Sequence, residues 1–168
     1  TTSEYGAFTA DYASIFVELG NDTVVLGIDY VPETFDTPSN TNTQGDNGTT
    51  KTNTAQADFE DHTTVYIKAN MPLGGMYMKL GYSTVDVITK ESLSSGRSYG
   101  NASTDGPVFG LGYQFDNGSG VSVRAEVSGY AFDDIATNNG VAASGNRNVV
   151  EVSDMIGARG TLSLVKSF

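Results

Sequence analysis

Apolar and polar residues alternate with a period of two in seven stretches of this chain. Such alternation marks β-strands whose two faces meet different surroundings. In Tyr12–Leu19, Ala13, Ile15, Val17 and Leu19 share one face, and Tyr12, Ser14, Phe16 and Glu18 share the other. In Thr23–Tyr30, Val24, Leu26, Ile28 and Tyr30 oppose Val25, Gly27 and Asp29. The same rhythm runs through Thr63–Met71, Met76–Ser83, Val108–Phe115, Val121–Tyr130 and Ile156–Leu164. No stretch carries a helical period. The pattern predicts an all-β chain of seven strands, forming a single domain over residues 1–168.

The connections fall into two kinds, in strict alternation. "GND", "PLGG" and "DNGSG" are tight turns, rich in residues that tolerate positive φ. Residues 32–58, 89–106 and 133–147 are long, polar connections. In an up-and-down antiparallel meander, all short turns then lie at one end and all long loops at the other. A soluble sandwich has no reason to segregate them, whereas a transmembrane β-barrel does. In such a barrel the apolar face meets lipid and the polar face meets the lumen.

Two sets of residues fit that reading. Glu18, Asp29, Lys68, Lys79, Arg124, Glu126 and Arg159 stand mid-strand on the polar face, four basic and three acidic. In a small barrel the interior is filled by side chains, so these charges are expected to form a neutralising lumen network. On a sandwich they would only face solvent. Tyr30, Tyr82, Phe109, Tyr113, Phe115 and Phe168 stand on the apolar face toward strand ends, where membrane-interface aromatics belong. Any one of them alone would be read as ordinary packing.

Composition narrows the choices further. Charged residues are 17% and apolar residues 38%, with 20 glycines, which suits strands joined by polar loops. The absence of cysteine excludes disulfides and thiolate chemistry. A net charge of −11 opposes nucleic-acid binding. No apolar run approaches the ~18 residues of a spanning helix. The chain opens without Met, as a mature or trimmed product would.

The closing stretch "GARGTLSLVKSF" alternates Gly160, Leu162, Leu164 and Lys166 up to a terminal Phe168. With the turn pattern, this resembles the small outer-membrane β-barrels of Gram-negative bacteria, the OmpA/OmpX-like group. The likeness extends over nearly the whole chain as a pattern. It implies that Phe168 is an assembly signal read by the barrel-assembly machinery. It also implies outer-membrane lipid and lipopolysaccharide as surroundings, and extracellular long loops. Lys166 departs from the apolar or aromatic residue usual at its place. The role implied is structural support and surface display, with weak passage of small solutes or ions as an accompaniment. With the last strand running inward, strand one, Phe8 to Leu19, also runs inward. An even-stranded barrel then needs one strand more, eight in the complete protein. That strand is expected to have been removed, left unbuilt, unidentified here, or supplied by a neighbouring chain. The alternative to the barrel is a soluble or surface-attached all-β adhesin or assembly subunit that shares strands between chains.

Candidate chemistry is sparse. His62, flanked by Glu60 and Asp61, has the composition of a general base or metal ligand. No nucleophile or orienting partner accompanies it, so it is read as a solvated loop residue, with no catalytic role. Asp133, Asp134 and the acidic "GDNG" around Asp46 lack the spacing of a calcium loop and are read as solubilising charge. Asn47 and Asn101 match a glycosylation sequon only formally. Gly110–Gly112 precedes no helix and cannot cradle a phosphate. Gly27, Gly81, Gly110 and Gly112 are instead expected to make room in a crowded interior or at a strong bend. No cofactor and no metal are expected.

Overall fold

A computed structural model describes residues 5–46, 49–93, 98–116, 118, 120–140 and 149–168. Its strands are β1 (Ile15–Gly20), β2 (Val24–Tyr30), β3 (Phe35–Asp36), β4 (Asn40–Asp46), β5 (Thr49–Asn70) and β6 (Met76–Leu93). They continue with β7 (Ala102–Asp116), β8 (Val121–Phe132), β9 (Ile135–Asn138), β10 (Val149–Val152) and β11 (Met155–Lys166). No helix occurs among the described residues.

Seven strands of a nine-stranded antiparallel sheet follow the order β1-β2-β5-β6-β7-β8-β11, and β3 and β4 also pair with β5. The seven are the alternating stretches of the sequence. The sheet curls into a half-barrel. Its curvature follows from one contact: Glu18 on the first strand meets Arg124 on the sixth at 2.8 Å. In a flat sheet, five spacings of about 4.8 Å would hold them roughly 24 Å apart.

Three short turns close one end. Asn21 Oδ1 accepts from the backbone N–H groups of Thr23 and Val24, which fixes the β1–β2 turn. Gly74 and Gly75, at φ 52° and 92°, supply the left-handed conformations of the β5–β6 turn. The long connections gather at the other end, but they are not all irregular. β5 and β6 continue as paired strands as far as Asn53↔Leu93. β4 folds back on β5 from Asn40↔Ala55 to Asp46↔Thr49. β9 and β10 form a hairpin of their own. β4 and the arm of β5 that it pairs with are rich in Thr and Asn and lack apolar alternation, and backbone pairing carries them instead. At the N-terminal side the expectation fails in the opposite direction. Residues 5–14 form no strand, and β1 starts at Ile15, not at Phe8.

The two faces of the sheet are unlike. The convex face exposes Ile15, Val17, Leu26, Ile67, Leu80, Leu111, Val127, Leu162 and Leu164. The concave face buries Asp29, Thr64, Tyr66, Lys68, Tyr77, Lys79, Ser83, Arg124 and Ser128. A soluble domain buries its apolar side chains, whereas here the polar ones are inside.

Candidate functional site

Alternation places all seven charged residues on the concave face, and the curl brings them within reach of each other. Glu18 from β1 is the hub. Its two oxygens accept from Arg124 Nη1 and Nη2 at 2.8 Å each, a bidentate pair. The same carboxylate accepts from Lys68 Nζ at 2.9 Å and Tyr66 Oη at 2.8 Å. Arg124 also donates to Gln114 Oε1, and its guanidinium lies 5.0 Å from the Phe16 ring and 5.3 Å from the Tyr77 ring.

A second cluster forms around Glu126, which pairs with Lys79 and accepts from Tyr77 Oη at 2.7 Å and Ser128 Oγ at 2.6 Å. Lys68 lies over Tyr77 and Lys79 over Tyr66, so the two clusters interlock through cation–π contacts. A third joins Arg159 to Asp29 at 3.4 Å and to Ser14 Oγ at 2.6 Å. Each of the seven charges therefore meets an opposite charge, as burial requires.

Tyr66 and Tyr77 belong to this site although the sequence reading left them out. Both share the inward parity of the charges, which is the signal that could have found them. Each depends on a glycine of a neighbouring strand. A Cβ at Gly27 would sit 2.3 Å from the Tyr66 ring, and one at Gly112 would sit 2.2 Å from Tyr77. These two glycines make room in the crowded interior, as anticipated for the group.

Five of the six aromatics of the apolar alternation project from the convex side, and Phe168 lies beyond the end of β11. Tyr82, Phe109, Tyr113, Phe115 and Phe168 are exposed, and Tyr30 is half-exposed. Tyr30 Oη donates to Asp61 at 2.8 Å. Tyr30 and Tyr82 stand toward the end with the long connections, Tyr113 and Phe115 toward the short turns. Phe109 pairs with Leu80, one step from Tyr82. Lys166 Nζ lies 6.0 Å from the Phe168 ring.

His62 is not a solvated loop residue; it is 5% exposed, on the concave face. A bulge between Glu60 and Thr63, with Asp61 at φ 51°, inserts one extra residue into β5 opposite Val85. The insertion reverses the parity of the strand, so that Phe59 and His62, three apart, both turn inward. Four rings surround His62 edge-on: Tyr12, Phe35, Tyr130 and Phe132, at centroid distances of 5.6 to 6.4 Å. Its sequence neighbours Glu60 and Asp61 do not bond to it: Asp61 accepts from Tyr30 and Glu60 from Thr34. Its Nε2 lies 2.8 Å from Ser83 Oγ, and Ser83 is fully buried.

In the third long connection, Asp134 Oδ1 accepts from the Asp154 N–H at 3.1 Å. Asp133, Asp134 and Asp154 border an open groove of about 360 Å³. Among the described residues, no His, Cys, Asp and Glu group could hold a metal ion. Asn101 accepts from the Thr89 N–H, while Asn47 lies outside the described residues and the side chain of Asp46 is not described. Lys90 pairs with Asp58 beyond the end of the charge network, and that carboxylate raises the ammonium above the ordinary lysine value.

No family model matches the chain, and neither a curated protein nor a solved structure matches it.

Proposed function

We propose that this chain is an integral β-barrel protein of a bacterial outer membrane, with a filled interior and a structural and surface-display role. The observation that carries the reading is the inverted polarity of the sheet: apolar side chains on the exposed convex face, paired charges on the buried concave face. On β8 the outward residues Val121 to Ala131 span about 33 Å along the strand. Tilted by about 40°, that is a band of about 25 Å, the height of the apolar belt of outer-membrane barrels. The long connections then extend outward, with 14 of the 19 acidic residues among those described at that end. The charge network fills the bore and limits it to weak passage of ions or small solutes.

A closed barrel needs one strand more than the sheet contains. Among the described residues, β1 and β11 are each paired on one side only. Both run the same way, so a single antiparallel strand between them completes the alternation. The contact of 2.6 Å from Arg159 to Ser14 sets the width of that opening. With side-chain reaches of about 7 and 2.5 Å, the two Cα atoms lie within about 12 Å. One strand at about 4.8 Å spacing fits there; two would need roughly 14 Å.

Extraction tests the reading. The protein is expected in the membrane pellet after carbonate washing, soluble only in detergent, and to migrate differently on gels with and without boiling. Release without detergent would overturn it. The unpaired edges favour one other reading, a soluble subunit that shares strands between chains. Strand-sharing oligomers free of detergent would establish that instead. In planar bilayers, a steady nanosiemens conductance would refute the filled interior.

A further inference from the structure

Above the charge network the concave face changes character. Phe8, Phe59, Phe35 and Tyr12 stack one on the next at centroid distances of 5.5, 5.2 and 5.0 Å. Tyr130 and Phe132 form a second stack at 5.8 Å, across His62 from the first. The two stacks and the imidazole between them form an aromatic layer at the end where the long connections lie.

Two buried polar atoms in this layer, His62 Nδ1 and Tyr130 Oη, make no hydrogen bond. An orphaned buried polar atom is destabilising and uncommon in folded proteins. The role of His62 Nδ1 follows from its neighbours. Ser83 Oγ donates to the Thr63 carbonyl at 3.2 Å, so it accepts from His62 Nε2–H. A neutral imidazole protonated at Nε2 presents a lone pair at Nδ1. The layer therefore offers aromatic faces, a hydrogen-bond acceptor at His62 Nδ1 and the hydroxyl of Tyr130.

The segment that covers the layer is lightly held. Residues 5–14 form no strand, and residues 5–11 are exposed. From residue 5 to residue 12, the described attachments are the rings of Phe8 and Tyr12, the latter also under the Arg159 guanidinium at 5.1 Å. Polar anchoring begins at Ala13, whose N–H donates to Glu33, and at Ser14. The two rings occupy places on the stack that another planar ring can take.

We propose that this aromatic layer is a binding site for a small planar aromatic molecule bearing one hydroxyl or N–H donor, a phenol or indole, which displaces the strap of residues 5–12 and donates to His62 Nδ1. The strap is then a competing internal ligand, and the exposed acidic end of the molecule disfavours aromatic carboxylates. The inference goes beyond the membrane role and does not depend on it.

His62 is the sole histidine, so its ring nitrogens give an unambiguous ¹⁵N NMR signal in the refolded full chain. Adding p-cresol is expected to shift the Nδ1 resonance saturably in the millimolar range. Toluene, which lacks the donor, should bind about tenfold more weakly, the worth of one hydrogen bond. The Phe8→Ala/Tyr12→Ala variant should bind p-cresol more tightly, because the competing rings are gone. Those substitutions lie outside every strand, and an unchanged circular dichroism spectrum would verify the fold. No saturable shift in either protein would overturn the proposal and leave Nδ1 with an ordered water only. Equal binding of toluene would overturn the role of Nδ1, and weaker binding by the double variant would overturn the strap. None of these outcomes depends on membrane extraction.

Discussion

Removing the Glu18 carboxylate is expected to cost more stability than any other single charge deletion in this chain. Its two oxygens serve Arg124 twice, Lys68 once and Tyr66 once. The side chains of Arg124 and Lys68 are each 5% exposed. In Glu18→Ala, Lys68 keeps no other carboxylate within ion-pair distance among the described residues, and Arg124 keeps the Gln114 amide oxygen and two aromatic faces but no carboxylate. Breaking a buried pair from one side costs about 3–5 kcal/mol. Two stranded cations put this case near the upper end. With a urea slope of about 2 kcal/mol per M, the unfolding midpoint falls by roughly 2 M. The assay is urea titration of the detergent-refolded protein, followed by circular dichroism and by the fraction that migrates as folded without boiling. The triple replacement Glu18→Leu, Lys68→Met and Arg124→Leu should recover most of the loss, because it leaves no unpaired charge. A loss below about 1 kcal/mol, the value for an exposed pair, would refute the reasoning, as would a triple variant no better than Glu18→Ala.

Other positions give sharper contrasts. Gly112→Ala places a Cβ 2.2 Å from the Tyr77 ring and breaks its hydrogen bond to Glu126; the overpacking is expected to cost about 1–3 kcal/mol. Gly160→Ala meets nothing within 4 Å and should change stability by less than about 0.5 kcal/mol in the same titration. Leu162→Arg puts a charge in the middle of the convex band, where Leu162 is 78% exposed. In a lipid bilayer it should destabilise the protein by about 2–4 kcal/mol, and an unchanged folded fraction in vesicles would argue against lipid contact. Lys90 should titrate above the ordinary lysine value because of Asp58. Its ion pair is then intact below pH of about 10.4 and lost as pH rises through the raised value. NMR titration of the Lys90 side chain should show that elevation disappear in Asp58→Asn.

Alternation alone determined that the chain is all-β, which stretches form the main sheet, and which residues share each face. The reason is local: a strand turns successive side chains to opposite sides, so parity is written directly in the sequence. Glu18, Asp29, Lys68, Lys79, Arg124, Glu126 and Arg159 were legible as one inward set on that ground. Which of them pair was not. Glu18 and Arg124 are 106 residues apart, and only the curl of the sheet brings the first strand to the sixth. The place of His62 was also hidden, because a single inserted residue at the bulge reverses parity in mid-strand. Phe8, Phe35 and Phe59 lie in stretches without alternation, so nothing local joined them to Tyr12 in a stack. The Thr- and Asn-rich arms of β4 and β5 lacked an apolar face and read as loops, yet backbone pairing made them strands. Sequence thus set the faces of the sheet, and tertiary curvature decided what meets inside it, because strand parity is a property of neighbouring residues and closure is a property of the whole sheet.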